Sequence, residues 1–211
     1  MSVSATTEPK RGLRERKRAA TRESLVASAR AFSAERGFSH WTIEQLCEEV
    51  GVSRRTFFNY FPTKEAAFLG QPEAGIPADL AERFVARGVP AGPTDLSPGL
   101  LEDSADLACT LAEAMPLTRA GFDQVMAAID KDPKVLPLMR QSIERRDAAF
   151  RQLIARREGI EPEDPRAQIA TTVLSAVAHR TLAAFFQPGN TRSYRQIFTA
   201  YVAAARAVLQ T

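Results

Sequence analysis

The stretch TIEQLCEEVGVSRRTFFNYFPTKE, residues 42–65, decides the fold. Thr42, with Gln45 three residues later, has the pattern of a capping box, which predicts a short helix beginning just after Thr42. Gly51 then suits a tight reversal of the chain, because glycine tolerates a positive φ. Ser53 is a good cap for a second helix. The stretch therefore predicts two short helices joined by a tight turn.

The second of these helices separates apolar from polar side chains. Phe57 and Phe61 lie four residues apart, so we expect both in the core. Arg54 and Arg55 then face outward from the first turn. An outward-facing second helix of this kind fits the major groove of DNA, where arginine donates to guanine O6 and N7. The pattern favours a helix-turn-helix whose second helix reads bases.

The residues around this motif carry an excess of positive charge. Residues 1–61 have a net charge of +4, and residues 62–211 have a net charge of −1. A basic end on a near-neutral body favours a polyanionic partner bound at that end, although a solvated surface is equally consistent with charge alone. The excess is densest at Lys10, Arg11, Arg14, Arg16, Lys17, Arg18 and Arg22.

Residues 42–65, the basic helix before them and the AFSAERGF sequence at residues 31–38 resemble the TetR family of transcriptional regulators, over about residues 13–69. One departure is Phe58, where the family often has an aromatic residue with a hydroxyl group; a phenyl ring cannot make that group's hydrogen bond. The resemblance implies repression, and release from DNA by a small ligand held in the C-terminal domain. It also implies base contacts at Arg54, Arg55 and Thr56, and phosphate contacts at Thr42, Ser53, Phe58, Asn59, Tyr60 and Lys64.

The remainder of the chain is predicted to be helical, because no stretch alternates apolar and polar residues as a half-buried strand does. The fold class is all-α. We expect a basic, disordered arm at residues 1–12, a three-helix helix-turn-helix DNA-binding domain at residues 13–62, and a helical ligand-binding and dimerisation domain at residues 63–211. Glycine and proline punctuation predicts helices near residues 13–36, 63–70, 77–87, 98–114, 117–130, 133–157, 165–186 and 193–210.

The last two predicted helices favour a homodimer. The first of them is apolar all round and the second has two apolar stripes. A chain of this size has too few other helices to bury all of these faces. Pairing with a second copy in a four-helix bundle covers both; a monomer that hides these faces internally is the alternative. Two reading helices about 34 Å apart predict a palindromic operator in double-stranded DNA. The expected interface residues are Ile169, Val173, Val177, Phe198, Tyr201, Val202 and Leu209.

The candidate ligand pocket is mainly apolar, which favours a small hydrophobic ligand. Each candidate is equally consistent with a plain core residue, and His179 with a satisfied core or interface histidine. A second hypothesis is therefore a DNA-binding regulator with a filled core and no small-molecule inducer. The candidates are Phe122, Met126, Met139, Phe150 and His179, on helices expected to surround the domain interior.

Several other classes of protein are not favoured. The only histidines are His40 and His179, and no Cys/His cluster, nucleophile elbow or phosphate-binding loop is present, so we predict no enzymatic activity, metal or cofactor. We interpret Cys47 and Cys109 as reduced packing residues. No apolar run reaches the roughly 18 residues needed to cross a bilayer, and the first residues do not resemble a secretory signal. These features predict a cytoplasmic protein without a membrane partner.

Overall fold

The computed structural model describes residues 10–70, 75–89, 95–115 and 118–209. Within these ranges the chain forms helices and no strand, so the predicted all-α class is confirmed. No helix within them is both long and apolar enough to span a membrane. Side chains are described throughout these ranges except for Lys10, Arg11, Leu13 and Leu209.

The helices begin and end close to the predicted positions. Each helix predicted from the sequence is present, with ends that differ by at most three residues. In chain order the described elements are α1 (Lys10–Arg36), a 3₁₀ helix (Phe38–His40), α2 (Ile43–Val50), α3 (Arg54–Phe58), α4 (Lys64–Leu69), α5 (Ala78–Ala86), α6 (Leu100–Glu113), α7 (Arg119–Lys131), α8 (Val135–Glu158), α9 (Pro165–Phe185) and α10 (Tyr194–Leu209).

The chain divides into two compact units. The first comprises Met1–Glu73 and Asp123–Val135, and the second comprises Ala74–Phe122 and Leu136–Thr211. Helix α4 therefore lies in the first unit, whereas the predicted domain boundary after residue 62 stays a prediction. Of the predicted disordered arm, residues 1–9 lie outside the described residues and residues 10–12 belong to α1.

Aromatic side chains form the core of the first unit. Phe57 and Phe61 are fully buried, as predicted, and their ring centroids lie 6.2 Å apart. Trp41 is also buried, and its Nε1 donates a hydrogen bond to Ser33 Oγ at 2.9 Å. The polar end of the indole is thus satisfied inside the core. Close packing of these rings holds α3 against the rest of the unit.

The second unit contains a buried ionic cluster beside its apolar core. The Arg157 side chain is fully buried, and it donates to Asp103 Oδ2 at 2.6 Å and to the Phe84 carbonyl oxygen at 2.7 Å. The neighbouring carboxylate of Glu158 accepts bonds from the Ser97 N–H and hydroxyl, both at 2.6 Å. A buried charge needs such partners, because an unpaired one is strongly destabilising. The cluster fastens the end of α8 to Phe84 in α5, to Asp103 in α6 and to Ser97 before α6.

Three of the predicted interface residues are core residues of a single chain. Val177 of α9 and Phe198 and Val202 of α10 are buried, because these two helices pack against each other and against α6. These side chains are therefore not available to a second copy, which corrects their predicted role. Ile169 is 59% exposed, whereas Val173 and Tyr201 are half-buried. The side chain of Leu209 lies outside the described residues.

Candidate nucleic-acid interface

The turn between α2 and α3 is held by local hydrogen bonds. The Thr42 N–H donates to Gln45 Oε1 at 2.9 Å and the Gln45 N–H donates to Thr42 Oγ1 at 3.2 Å, so the predicted capping box is confirmed. Gly51 ends α2 with φ of 71°, a conformation that favours glycine. The Val52 N–H then donates to the Cys47 carbonyl oxygen at 2.9 Å. These bonds set the reversal that leads into α3.

Helix α3 presents its first turn to solvent. Ser53 caps it, with Oγ accepting from the Thr56 N–H at 3.0 Å and lying 2.8 Å from Thr56 Oγ1. Arg54 and Arg55 follow immediately, and both are exposed. Fully buried Phe57 anchors the opposite side of the helix. Two guanidinium groups are therefore accessible at the beginning of a short helix, the position from which recognition helices contact bases.

Arg54 has a weak partner within the chain. Its Nη1 lies 2.6 Å from Glu44 Oε1, and the two side chains are 61% and 56% exposed. An exposed ion pair of this kind contributes about 0–1 kcal/mol. Arg54 can therefore exchange Glu44 for a base edge at small cost.

The end of α3 carries the remaining predicted contacts of this helix. Asn59 is exposed and Tyr60 is half-buried, with the Arg18 guanidinium 5.9 Å from the Tyr60 ring centroid. Phe58 is 42% exposed, and the Arg54 guanidinium lies 5.7 Å from its ring centroid. Phe58 therefore lies beside Arg54, and Tyr60 lies beside Arg18 of α1. Their contacts with DNA stay predictions.

Lys64, a predicted phosphate ligand, also has partners within the chain. Its Nζ donates to the Trp41 carbonyl oxygen and lies 4.0 Å from the Trp41 ring centroid and 4.8 Å from that of Phe38. Burial lowers the pKa of Lys64. A phosphate contact by this ammonium group therefore requires it to share or leave its partners within the chain.

Two arginines of α1 have a structural role that the sequence did not indicate. Arg22 donates to the Gly70 carbonyl oxygen at 2.7 Å, and Arg30 donates to the Phe68 and Leu69 carbonyl oxygens at 3.1 and 3.3 Å. These carbonyl groups end α4 and lack partners within the helix. The available signal was spacing, because residues 22 and 30 lie about two turns apart on α1, beside the apolar residues Leu25, Val26 and Ala29, which are buried.

Asp132 is a third residue whose structural role sequence reasoning missed. Its buried carboxylate accepts from the Ser39 N–H at 2.7 Å and from the Lys134 N–H at 3.1 Å. Hydrogen bonding from Ser39, and then from Lys134, lowers the pKa of Asp132. The bond to Ser39 fastens residues 123–135 to the 3₁₀ helix that precedes α2. An Asp-Pro-Lys turn is visible in the sequence, but its distant partner is not.

The predicted ligand-pocket residues differ in their surroundings. Phe150 is a core residue whose ring centroid lies 6.1 Å from that of Phe84, and Phe122 stacks on Phe186 at 4.5 Å. His179 is exposed on α9, which fits the interface alternative better than a place in the domain interior. Both methionines among the candidates, Met126 and Met139, are half-buried.

A different cavity occurs in the second unit. It is an open, largely apolar groove of about 530 Å³, and its lining includes Leu100, Ile169, Val173, Arg166 and Arg206. None of the predicted pocket residues lines it. Among the described residues, no group of three or more His, Cys, Asp and Glu side chains is arranged to hold a metal ion.

Residues 25–69 match the family described as bacterial regulatory proteins, tetR family. The chain is 30% identical over 172 residues to the HTH-type transcriptional regulator TcmR of Streptomyces glaucescens, an alignment that covers 79% of this chain and 73% of that protein. A TetR transcriptional regulator from Rhodococcus sp. RHA1, known as a crystal structure, aligns with 90% of this chain and 95% of that chain. The identity there is 17% and the TM-score 0.36, so no conclusion rests on that alignment.

Proposed function

This chain belongs to the tetR family of bacterial regulatory proteins, and on that basis we propose that it represses transcription by binding a palindromic operator as a homodimer. The coarser function, that of a DNA-binding transcriptional regulator, comes with membership of the family. The observation that supports sequence-specific binding through α3 is the accessible pair Arg54 and Arg55 at the beginning of that helix. Repression itself is the usual mode of the family.

The proposed DNA surface is centred on α3. Arg54, Arg55 and Thr56 contact base edges, and bidentate arginine–guanine pairs supply the discrimination. Phosphate contacts position the helix but carry no sequence information. Lys64 joins them by donating a second N–H to a phosphate oxygen, or by leaving the Trp41 carbonyl group. The other proposed phosphate ligands are Thr42, Ser53, Asn59 and Tyr60.

The proposed dimer uses faces of α9 and α10 that the single chain leaves uncovered. Ile169 and His179 lie on the uncovered side of α9. Helix α10 contributes a stripe of small side chains that permits close approach of a second helix. A two-fold axis through these faces would give each copy one α3 for its half of the operator. The exposed alanines of this stripe are Ala200, Ala203, Ala204 and Ala207.

Release by a small hydrophobic ligand is the third part of the proposal. Such a ligand lowers operator occupancy only if it binds the DNA-free state more tightly than the DNA-bound state. The packing of Phe150 against Phe84 favours the alternative, a regulator with a filled core and no inducer. Phe122 and Met139, both half-buried in the second unit, stay candidates for ligand contact, whereas Met126 belongs to the first unit.

The decisive experiment is selection of bound sequences from random double-stranded DNA by the full chain. We expect one enriched palindrome. The variant Arg54→Ala/Arg55→Ala should lose roughly five- to 150-fold in affinity for each guanine contact removed, from about 1–3 kcal/mol per bidentate pair. The matched control Arg140→Ala/Arg145→Ala, which removes two exposed arginines of α8, should select the same palindrome.

Four results would each contradict one part of the proposal. Absence of any enriched sequence, or full selectivity in the α3 variant, refutes the assigned reading helix. A monomer in light scattering at the concentrations that bind DNA refutes the homodimer. Expression of a reporter gene placed downstream of the selected operator should fall when the protein is present. A rise in expression would show activation.

A further inference from the structure

Phe58 is the exception on an otherwise polar surface. Among the described residues of the first unit, it is the only large apolar side chain that is exposed. Its ring meets the ring of fully buried Phe57 edge-on, with centroids 5.3 Å apart. This contact anchors the base of the ring, while two fifths of the side chain remain open to solvent. The fold alone therefore does not account for a phenyl ring at this position.

The chemistry of a phenyl ring restricts what it can contact on DNA. It has no donor for a phosphate oxygen, and covering a charged oxygen without a hydrogen bond is unfavourable. The major groove presents one apolar group, the 5-methyl group of thymine, which phenylalanine contacts in other complexes. An exposed ring on a groove-facing helix thus fits thymine better than it fits the backbone.

The position of Phe58 places it beside the bases. It lies four residues after Arg54 on the same face of α3, and the two side chains are in contact, with the guanidinium 5.7 Å from the ring centroid. Four residues of helix rise about 6 Å, and base pairs are stacked about 3.4 Å apart. A base touched by Phe58 therefore lies within about two base pairs of a base read by Arg54.

We propose that Phe58 reads a thymine in each half of the operator by packing its ring against the 5-methyl group of that base. The inference rests on the proposed function, because it requires α3 to enter the major groove. It assigns to Phe58 a role in specificity in place of the phosphate contact that the family resemblance implies. Arg54 supplies the polar part of the same reading face, and Phe58 supplies the apolar part.

The test uses the operator selected by the full chain, with each thymine replaced in turn by deoxyuridine, symmetrically in both halves. This replacement removes only the 5-methyl group. For the wild type, one symmetric position should weaken binding about fourfold per half-site, or roughly fifteenfold for both, as burial of one methyl-sized group implies. In Phe58→Ala the thymine and deoxyuridine operators should bind equally at that position. Phe58→Leu, which keeps an apolar side chain, should retain part of the preference.

The outcomes separate this inference from the proposed function. If the wild type selects an operator but no deoxyuridine position weakens binding, the assignment of Phe58 is wrong and the reading helix stands. The assignment is equally wrong if Phe58→Ala keeps the full preference for thymine. If no operator is selected at all, the proposed function fails first. Circular dichroism of each variant verifies that it is folded.

Discussion

Replacing Asp132 by asparagine tests how the 3₁₀ helix before α2 is held. The carboxylate accepts two backbone N–H bonds, from Ser39 and Lys134, and it is buried. Asparagine has nearly the same shape, but only its amide oxygen can accept. The variant Asp132→Asn therefore loses about one charge-assisted hydrogen bond, which is worth about 1.5–3 kcal/mol of unfolding free energy.

The same substitution predicts a pH dependence. The hydrogen bonds lower the pKa of Asp132, so its contribution to stability is fully present above the unfolded-state pKa of about 3.9 and is lost as pH falls through the folded-state pKa. The difference in unfolding free energy between the wild type and Asp132→Asn should therefore be constant from pH 7 to about 5. It should shrink as the pH falls below about 4, because asparagine does not titrate.

Urea titration followed by tryptophan fluorescence measures the unfolding of the first unit, which contains Asp132. Trp41 is the only tryptophan of the chain and is buried in the first unit, where Asp132 also lies. The matched control is Asp130→Asn, which changes an exposed carboxylate two residues away and should leave the urea midpoint unchanged. Equal midpoints for the wild type and Asp132→Asn at pH 7 would refute the reasoning, as would a difference that persists undiminished in acid.

Two further predictions concern buried groups. Arg157→Ala removes the cationic partner of the buried Glu158 carboxylate and should lower the unfolding free energy by about 3–5 kcal/mol, measured by urea unfolding followed by circular dichroism. The control Arg156→Ala removes an exposed ion pair and should lower it by less than about 1 kcal/mol. Similar losses in the two variants would contradict this. Burial raises the pKa of Cys109 to about 11 and also raises the pKa of Cys47. Neither thiol should react rapidly with Ellman's reagent at pH 8 until urea unfolds the chain, and a fast reaction of the native protein would show that this packing is wrong.

Features that depend on neighbouring residues were predictable from the sequence. The capping box of Thr42 and Gln45, the turn at Gly51 and the cap at Ser53 each involve residues within a few positions of one another. The burial of Phe57 likewise follows from helical spacing within α3. The residues that α3 exposes at the candidate DNA surface were predictable for the same reason.

Features that depend on distant partners were not predictable. Helix α10 has two apolar stripes, and the sequence does not indicate that the stripe with Phe198 and Val202 packs within its own chain. Leu136 and Ile143 of α8 are large apolar residues, yet they are 54% and 39% exposed. Helical periodicity identifies an apolar face, but it does not identify which element, or which copy, covers that face. The folding of Lys64 onto the Trp41 carbonyl group has no local signal either.

The bonds from Arg22 and Arg30 to the end of α4 affect how an alanine scan of the basic residues would be interpreted. Removing either guanidinium leaves carbonyl groups without these partners at the end of the helix that begins at Lys64, so operator binding would decline through loss of local order. Such a scan would score both arginines as phosphate ligands although neither needs to approach the duplex. Melting temperatures recorded without DNA distinguish them from Arg55, whose loss should weaken binding and leave the melt unchanged.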